Sequence, residues 1–146
     1  MKNWTLEEAF RAFKAEKWDH YKTWSAIAEN GISVITLWNH QIKPNLKERK
    51  NYYSCFDAGD WWHEDTSNQK RKEHLQNSLE LHDGFFSAIR VYPKDKTSIP
   101  LEIERCSPMI KNWWKITEYN SETGEFKAEC DTLTPRDKKE LFPKFL

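Results

Sequence analysis

YKTWSAIAENGISVITLW, residues 21–38, is the stretch around which the rest of the chain is organised. Asn30-Gly31 at its centre is a hairpin signal, because a two-residue type I′ turn needs positive φ at both central positions. β-Branched and aromatic residues on both flanks favour strands. With Asn30 and Gly31 as the two loop residues, Glu29 pairs with Ile32, Trp24 with Leu37 and Thr23 with Trp38. Period-two alternation then puts Trp24, Ala26, Ile35 and Leu37 on one face, which reads as core. The other face carries Trp38, Thr23, Ser25, Thr36, Ile27 and Val34. A flat ring beside hydroxyls and aliphatics is either a packing surface or one wall of a pocket for a flat ligand such as a base.

The 146 residues read as one domain, 1–146, long enough for a core without staples. Lys+Arg 23 balance Asp+Glu 23, so no global field draws the chain to nucleic acid or membrane, and any electrostatic footprint must be local. Hydrophobic content is 38%, yet aromatics reach 14% with eight Trp, which implies a core of few, large side chains and rings left over for a surface or cleft. The three cysteines, Cys55, Cys106 and Cys130, show no C-x-x-C spacing. They point to a reducing compartment and against a disulfide frame or zinc knuckle. MKNWTLEEAF has no apolar signal region and no run approaches a membrane span, so the expectation is a cytoplasmic protein without a membrane partner.

Thr5-Leu6-Glu7-Glu8 is a capping box, followed by Leu6, Phe10 and Phe13 at helical spacing, and predicts a helix from Leu6 to Trp18 lying on the sheet. After the hairpin, QIKPNLKERK (41–50) is basic and broken by Pro44, and Tyr52 to His63 reads as a long loop rich in rings. Rings beside Lys43, Lys47, Arg49 and Lys50 either plug the barrel or stack on bases while the cations neutralise phosphate. Asp65, Thr66 or Ser67 can cap a second helix over Asn68–His82, with Leu75, Leu79 and Leu81 as its thin apolar stripe and Gly84 at the C′ position. Its basic first turn, Lys70-Arg71-Lys72, disagrees with the helix dipole and is either a solvated face or a phosphate contact.

FFSAIRVY (85–92) reads as a central strand, apolar on both faces except for Arg90, which is either paired to a carboxylate or aimed at an anion. LEIER (101–105) is a further strand broken by Ser107-Pro108. Residues 113–119 and 126–130 bracket Asn120–Gly124 as a second hairpin, and Thr134-Pro135 opens a short tail helix. Catalytic patterns are thin. Glu102 and Glu104 share a strand face and can hold magnesium or simply sit on an edge strand. The five histidines show no ligand spacing, Cys55 is a nucleophile or an idle thiol, and no P-loop or G-x-S-x-G occurs.

The order helix, hairpin, aromatic and basic loop, helix, strand, strand, hairpin, short helix resembles the PUA-like superfamily, which includes the ASCH, EVE, YTH and SRA domains. TWSAIAENGISVITLW (23–38), DGFFSAIRVY (83–92) and NWWKITEYNSETGEFKAE (112–129) carry the likeness; the ASCH-type G-x-K-x-x-E-x-R signature is only echoed at 41–49. The resemblance implies an α+β fold, a PUA-like mixed or antiparallel β-barrel with flanking helices. It also implies a module that takes a modified, flipped or single-stranded base of DNA or RNA into an aromatic pocket, linked to restriction or phage defence, with a partner nuclease. On that expectation Trp24, Trp38, Tyr53, Trp61 and Trp62 stack on the base. Ser25, Thr36, Asn39, Asp57 and Asp60 read its edge, and Lys43, Lys47, Arg49, Lys70 and Arg71 track phosphate. No catalytic residue, metal ligand or cofactor is assigned. The alternatives are a small metal-dependent nuclease or base-processing enzyme using Glu102, Glu104 and a histidine, and a protein-interaction module. The surplus of rings also leaves a homodimer open.

Overall fold

A computed structural model describes residues 4–15, 24–56, 62–95, 97 and 102–135. In chain order the elements are α1 (Leu6–Ala12), β1 (Ser25–Ile27), β2 (Ser33–Trp38), a 3-10 turn (Asn39–Gln41), β3 (Ile42–Asn45), β4 (Lys50–Ser54), α2 (Thr66–Leu81), β5 (Phe85–Pro93), β6 (Ile103–Tyr119) and β7 (Phe126–Pro135). The strands form one seven-stranded sheet in the order β1-β2-β5-β6-β7-β4-β3, with β2 and β5 parallel and every other pair antiparallel.

A short connection sets the shape of this sheet. In a flat sheet β2 and β3 would lie five strand spacings apart, about 24 Å at the usual separation. The chain from Trp38 to Ile42 can span at most about 15 Å. The sheet therefore curls until β3 returns to the end of β2, without hydrogen bonds joining its two edges. The α+β class expected from sequence holds; the closed barrel does not, because this edge-to-edge pairing is missing.

Curling gives the sheet an inner and an outer face, each with its own core. The inner core joins Ile35, Leu37, Ile42, Tyr53, Phe86, Trp114, Ile116, Phe126 and neighbours under α2. The outer core packs Ala9 and Phe10 of α1, with Phe13 at its C-cap, on Ala26, Val34, Ile89 and Val91. β2 and β5 are apolar on both sides because they are covered on both sides. The face that α2 buries is polar: Ser67, Asn68, Arg71, His74 and Ser78, with Leu75 the single aliphatic among its buried residues. Leu79 and Leu81, expected in the apolar stripe, are 37% and 70% exposed. The helical period is there, but its polarity hides it from a hydrophobicity pattern.

Several boundaries differ from the sequence expectation. Ser25 pairs with Ile35 and Ala26 with Val34, one residue from the expected register. The loop has three residues, Glu29–Gly31, with Ala28 N–H donating to Ile32 O at 3.0 Å and Gly31 alone at positive φ, 86°. A three-residue loop ending in a left-handed glycine is the next commonest hairpin after the two-residue one. The slip turns the β1 side chains over relative to β2, so Ser25 accompanies Ile35 inward and Ala26 accompanies Val34 outward.

Helix α1 keeps its capping box but stops at Ala12, since Lys14 takes φ 58° and Ala15 forms a bridge to Ala28. Asp65 caps α2 by accepting from Ser67 N–H at 2.8 Å, and Asp83, at φ 53°, precedes Gly84 past its end. Residues 42–54 are not loop but the β3–β4 hairpin, where Pro44 is tolerated on an edge strand. Ser107-Pro108 does not break β6, because among the described residues β7 pairs with β6 only from Asn112 onward and takes no ladder bond from Pro108. Thr134-Pro135 ends β7 rather than starting a helix; the expected tail helix beyond it lies outside the described residues. No described helix is long and apolar enough to cross a membrane.

Candidate functional site

The inside of the curled sheet has two ends, and among the described residues only one is plugged. At the plugged end α2 lies across the opening. Its Arg71 guanidinium sits 5.1 Å from the ring centres of Trp24 and Trp62 and 5.3 Å from that of Phe126. Asn68 ties the nearby loops together, donating to His63 O at 3.0 Å and Thr123 O at 2.8 Å while accepting from Arg71 at 3.1 Å.

At the other end the inner core stops at Trp114, and a cavity of about 370 Å³ opens beyond it. Asn51 of β4, Arg90 and Tyr92 of β5, residues 107–112 and Trp114 of β6, and Cys130 of β7 line it. Register places these side chains together, since Arg90 pairs with Ser107, and Cys130 pairs with both Asn51 and Trp114. A bulge gives the cavity room: β6 advances from Met109 to Trp114 while β5 moves only from Ala88 to Phe86. The volume lies at the lower end of the range typical of ligand pockets.

The lining has a definite sign. Among the described residues its charged members are Arg90 and Lys111, and no carboxylate lines it. Arg90 Nε and Trp114 Nε1 are buried donors without a hydrogen-bond partner, although the Trp114 side chain is 0% exposed. An unmade buried bond costs about 1–3 kcal/mol, so such donors call for an acceptor from elsewhere. Burial pushes the Cys130 thiol up to about 11, partly opposed by the nearby Arg90 charge. Tyr92 also borders a second, more open groove of about 780 Å³ lined by Asn39, His40, Lys43, Lys94 and Arg105 together with Asp95 and Glu104. Arg105 lies over the Tyr92 ring at 3.9 Å.

The residues expected to form one aromatic pocket are dispersed. Trp24 packs with the inner core and Trp38 with the outer one, so these two rings stand on opposite faces of the sheet. Tyr53 and Trp62 are buried in the inner core. Ser25 is buried and bonds His74 Nδ1 at 2.6 Å, and the Thr36 hydroxyl donates to Trp24 O at 2.8 Å. Arg71 is 4% exposed, which withdraws it from any phosphate at the surface. Lys70 is paired with Glu73 at 3.3 Å, and Lys47 and Arg49 are exposed in the β3–β4 turn. Asn39 and Lys43 meet in the open groove, whereas Trp24, Trp62 and Arg71 meet under α2. Asp57, Asp60 and Trp61 lie outside the described residues.

Arg90 was singled out by sequence. Trp114, Asn51, Tyr92, Ser107, Lys111 and Asn112 were not, although the Trp113-Trp114 doublet on an alternating strand must turn one ring inward. Cys55 is buried against Phe126 and its thiol is pushed up by burial, which suits packing rather than attack. The Ser25–His74 pair is sealed under α2, with 0% and 7% exposure. Glu102 pairs with Lys94 at 3.6 Å, Glu104 borders the open groove, and no cluster of three metal-ligating side chains occurs among the described residues. Tyr92, Met109 and Trp114 all border the cavity. Compared with family models, curated proteins and solved structures, the chain finds no match in any of the three.

Proposed function

We propose that the chain is a nucleic-acid-binding module that receives one unpaired or flipped base of DNA or RNA, modified or not, in the mouth cavity. The neighbouring phosphates would lie over the groove of Lys43, Lys94 and Arg105. The observation that carries this reading is the pair of buried, unpartnered donors, Arg90 Nε and Trp114 Nε1, in a cavity whose charged groups among the described residues are cations. On the cavity lining the Tyr92 ring offers a stacking plane and Arg90 a donor for the edge, which a flipped base needs. The cations give a neutral protein a local place for phosphate. The coarse form, a curled mixed sheet with a helix on each face, is compatible with the PUA-like likeness, and that kinship belongs to the proposal. So does a role in supplying recognition to a partner nuclease in restriction or phage defence.

Titration of the protein with short single-stranded oligonucleotides at low salt, followed by tryptophan fluorescence, tests the reading. Saturable quenching is expected, weakening with salt on a shallow slope of about −0.7 per phosphate neutralised. Lys94→Ala and Arg105→Ala should each reduce that slope. Absence of a fluorescence change at low salt, with the protein folded, would overturn the proposal.

A further inference from the structure

We infer that the mouth cavity takes the end of a strand, holding a terminal phosphate monoester on Arg90 and Lys111. This rests on the reading of the cavity as a nucleic-acid site and goes past it, because a base alone does not account for the charge there. Arg90 and Lys111 both line the cavity, and no carboxylate among the described residues lines it with them. Arg90 is half-buried, with its Nε buried and without a hydrogen-bond partner, whereas Lys111 is exposed. A partly desolvated charge is costly until an opposite charge meets it. Bases are uncharged, so stacking and edge contacts leave these cations uncompensated; the anion in a nucleic acid is its phosphate. A monoester at a strand end carries about −1.5 to −2 at pH 7 and three acceptor oxygens. A diester within the chain carries a single negative charge.

The way the two openings adjoin favours an end over an internal nucleotide. Tyr92 borders both the cavity and the open groove of Lys43, Lys94 and Arg105. A terminal nucleotide needs one passage: its phosphate lies inside on Arg90 and Lys111 while the chain leaves past Tyr92 along the groove. A nucleotide within a strand has chain on both sides, and flipping rotates its base inward about a backbone whose phosphates stay outside. Asn51 and Ser107, also on the lining, carry donors for the remaining phosphate oxygens. Arg90 and Lys111 are on this inference the residues that recognise the end, and the cations of the groove hold the chain whatever its end.

The test uses the full chain and short single-stranded oligonucleotides of one sequence that end in a 5′-phosphate, a 3′-phosphate or hydroxyls alone. A phosphate at one of the two ends is expected to tighten binding about tenfold or more over hydroxyl ends, as one hydrogen bond to a charged group provides. Capping that phosphate as its methyl ester keeps the group and removes one charge, and should cost most of the gain. Arg90→Met and Lys111→Met should each bring the ratio between phosphate and hydroxyl ends toward one, while Lys94→Ala should weaken both alike. Lys111 is exposed, so its replacement reads recognition without disturbing the fold. Equal binding of phosphate and hydroxyl ends, undiminished binding of the methyl ester, or an unchanged ratio in both variants overturns the inference and leaves the base-binding reading standing. Failure of every oligonucleotide to bind overturns both.

Discussion

Arg71 and Arg90 occupy the two ends of the same interior and are used in opposite ways. Arg71 lies under α2, enclosed by the rings of Trp24, Trp62 and Phe126 and bonded to Asn68. Arg90 lies where no described helix covers the sheet, and among the described residues its guanidinium faces neither a ring nor a carboxylate. Each leaves Nε without a hydrogen-bond partner. The first charge is nevertheless solvated by ring faces on several sides, each such contact contributing about 2 kcal/mol or more when desolvated. The second has no such substitute. An arginine that the fold has enclosed supports the fold, and one left open can serve a ligand.

The strongest way to break this contrast is to truncate both residues and compare stabilities. Arg71→Ala removes the head from between three rings, leaves Asn68 Oδ1 without its donor and opens a hole. Destabilisation of about 3–5 kcal/mol is expected in urea unfolding, with Arg71→Met recovering part of it by keeping the volume. A loss for Arg71→Ala below about 1 kcal/mol would show that the enclosed arginine is not structural. Gly124→Ala attacks the same end from the hairpin side. Gly124 has φ 86°, and a Cβ there would come within 2.5 Å of Asn68 Oδ1, a buried amide already holding three bonds. Left-handed strain and displacement of that amide together should cost about 3 kcal/mol by the same assay.

How far the sequence reveals this contrast depends on the kind of signal. The capping box at Thr5, the central strand at 85–92 and the closing hairpin around Asn120–Gly124 are local chemistry, and all three occur as expected. The register of the first hairpin is not settled locally, because Asn-Gly suits a two-residue loop and equally ends a three-residue one. That single residue decides which face Ser25 takes, and with it the partner of His74. The candidate site was least visible. Asn51, Arg90, Trp114 and Cys130 come from four strands and meet only because the sheet curls, which follows from a three-residue link between strands distant in the sheet order. Arg90 alone stood out, since a charge in an apolar strand conflicts with its surroundings wherever the strand lies.

His74 gives a smaller effect at the plugged end, visible as a function of pH. Burial under α2, aided by the charge of Lys70 and opposed by Glu73, lowers its pKa from 6.5 to about 4. Between those values the unfolded chain holds a proton that the folded chain does not. Stability is therefore full above about pH 6.5, falls as the pH drops toward 4 and levels off below it, a loss of about 2–3 kcal/mol at most. Urea midpoints taken across that window should show the slope, and His74→Gln should flatten it. An unchanged slope in the variant would assign the acid sensitivity to other groups.

The smallest expected change in stability is also the one that separates the two arginines most sharply. Arg90→Met keeps the aliphatic stem against the cavity wall and removes a guanidinium whose buried Nε has no hydrogen-bond partner. Relieving an unmet buried donor offsets the lost packing, so stability should stay within about 0.5 kcal/mol of the parent. Ligand binding should fall about tenfold or more in the same variant, because the charge and the donor both vanish from the mouth. Measured together, a stable Arg90→Met protein that no longer binds and an unstable Arg71→Ala protein would assign one end to the fold and the other to recognition. An Arg90→Met protein that unfolds as readily as Arg71→Ala would mean that the open end is structural as well.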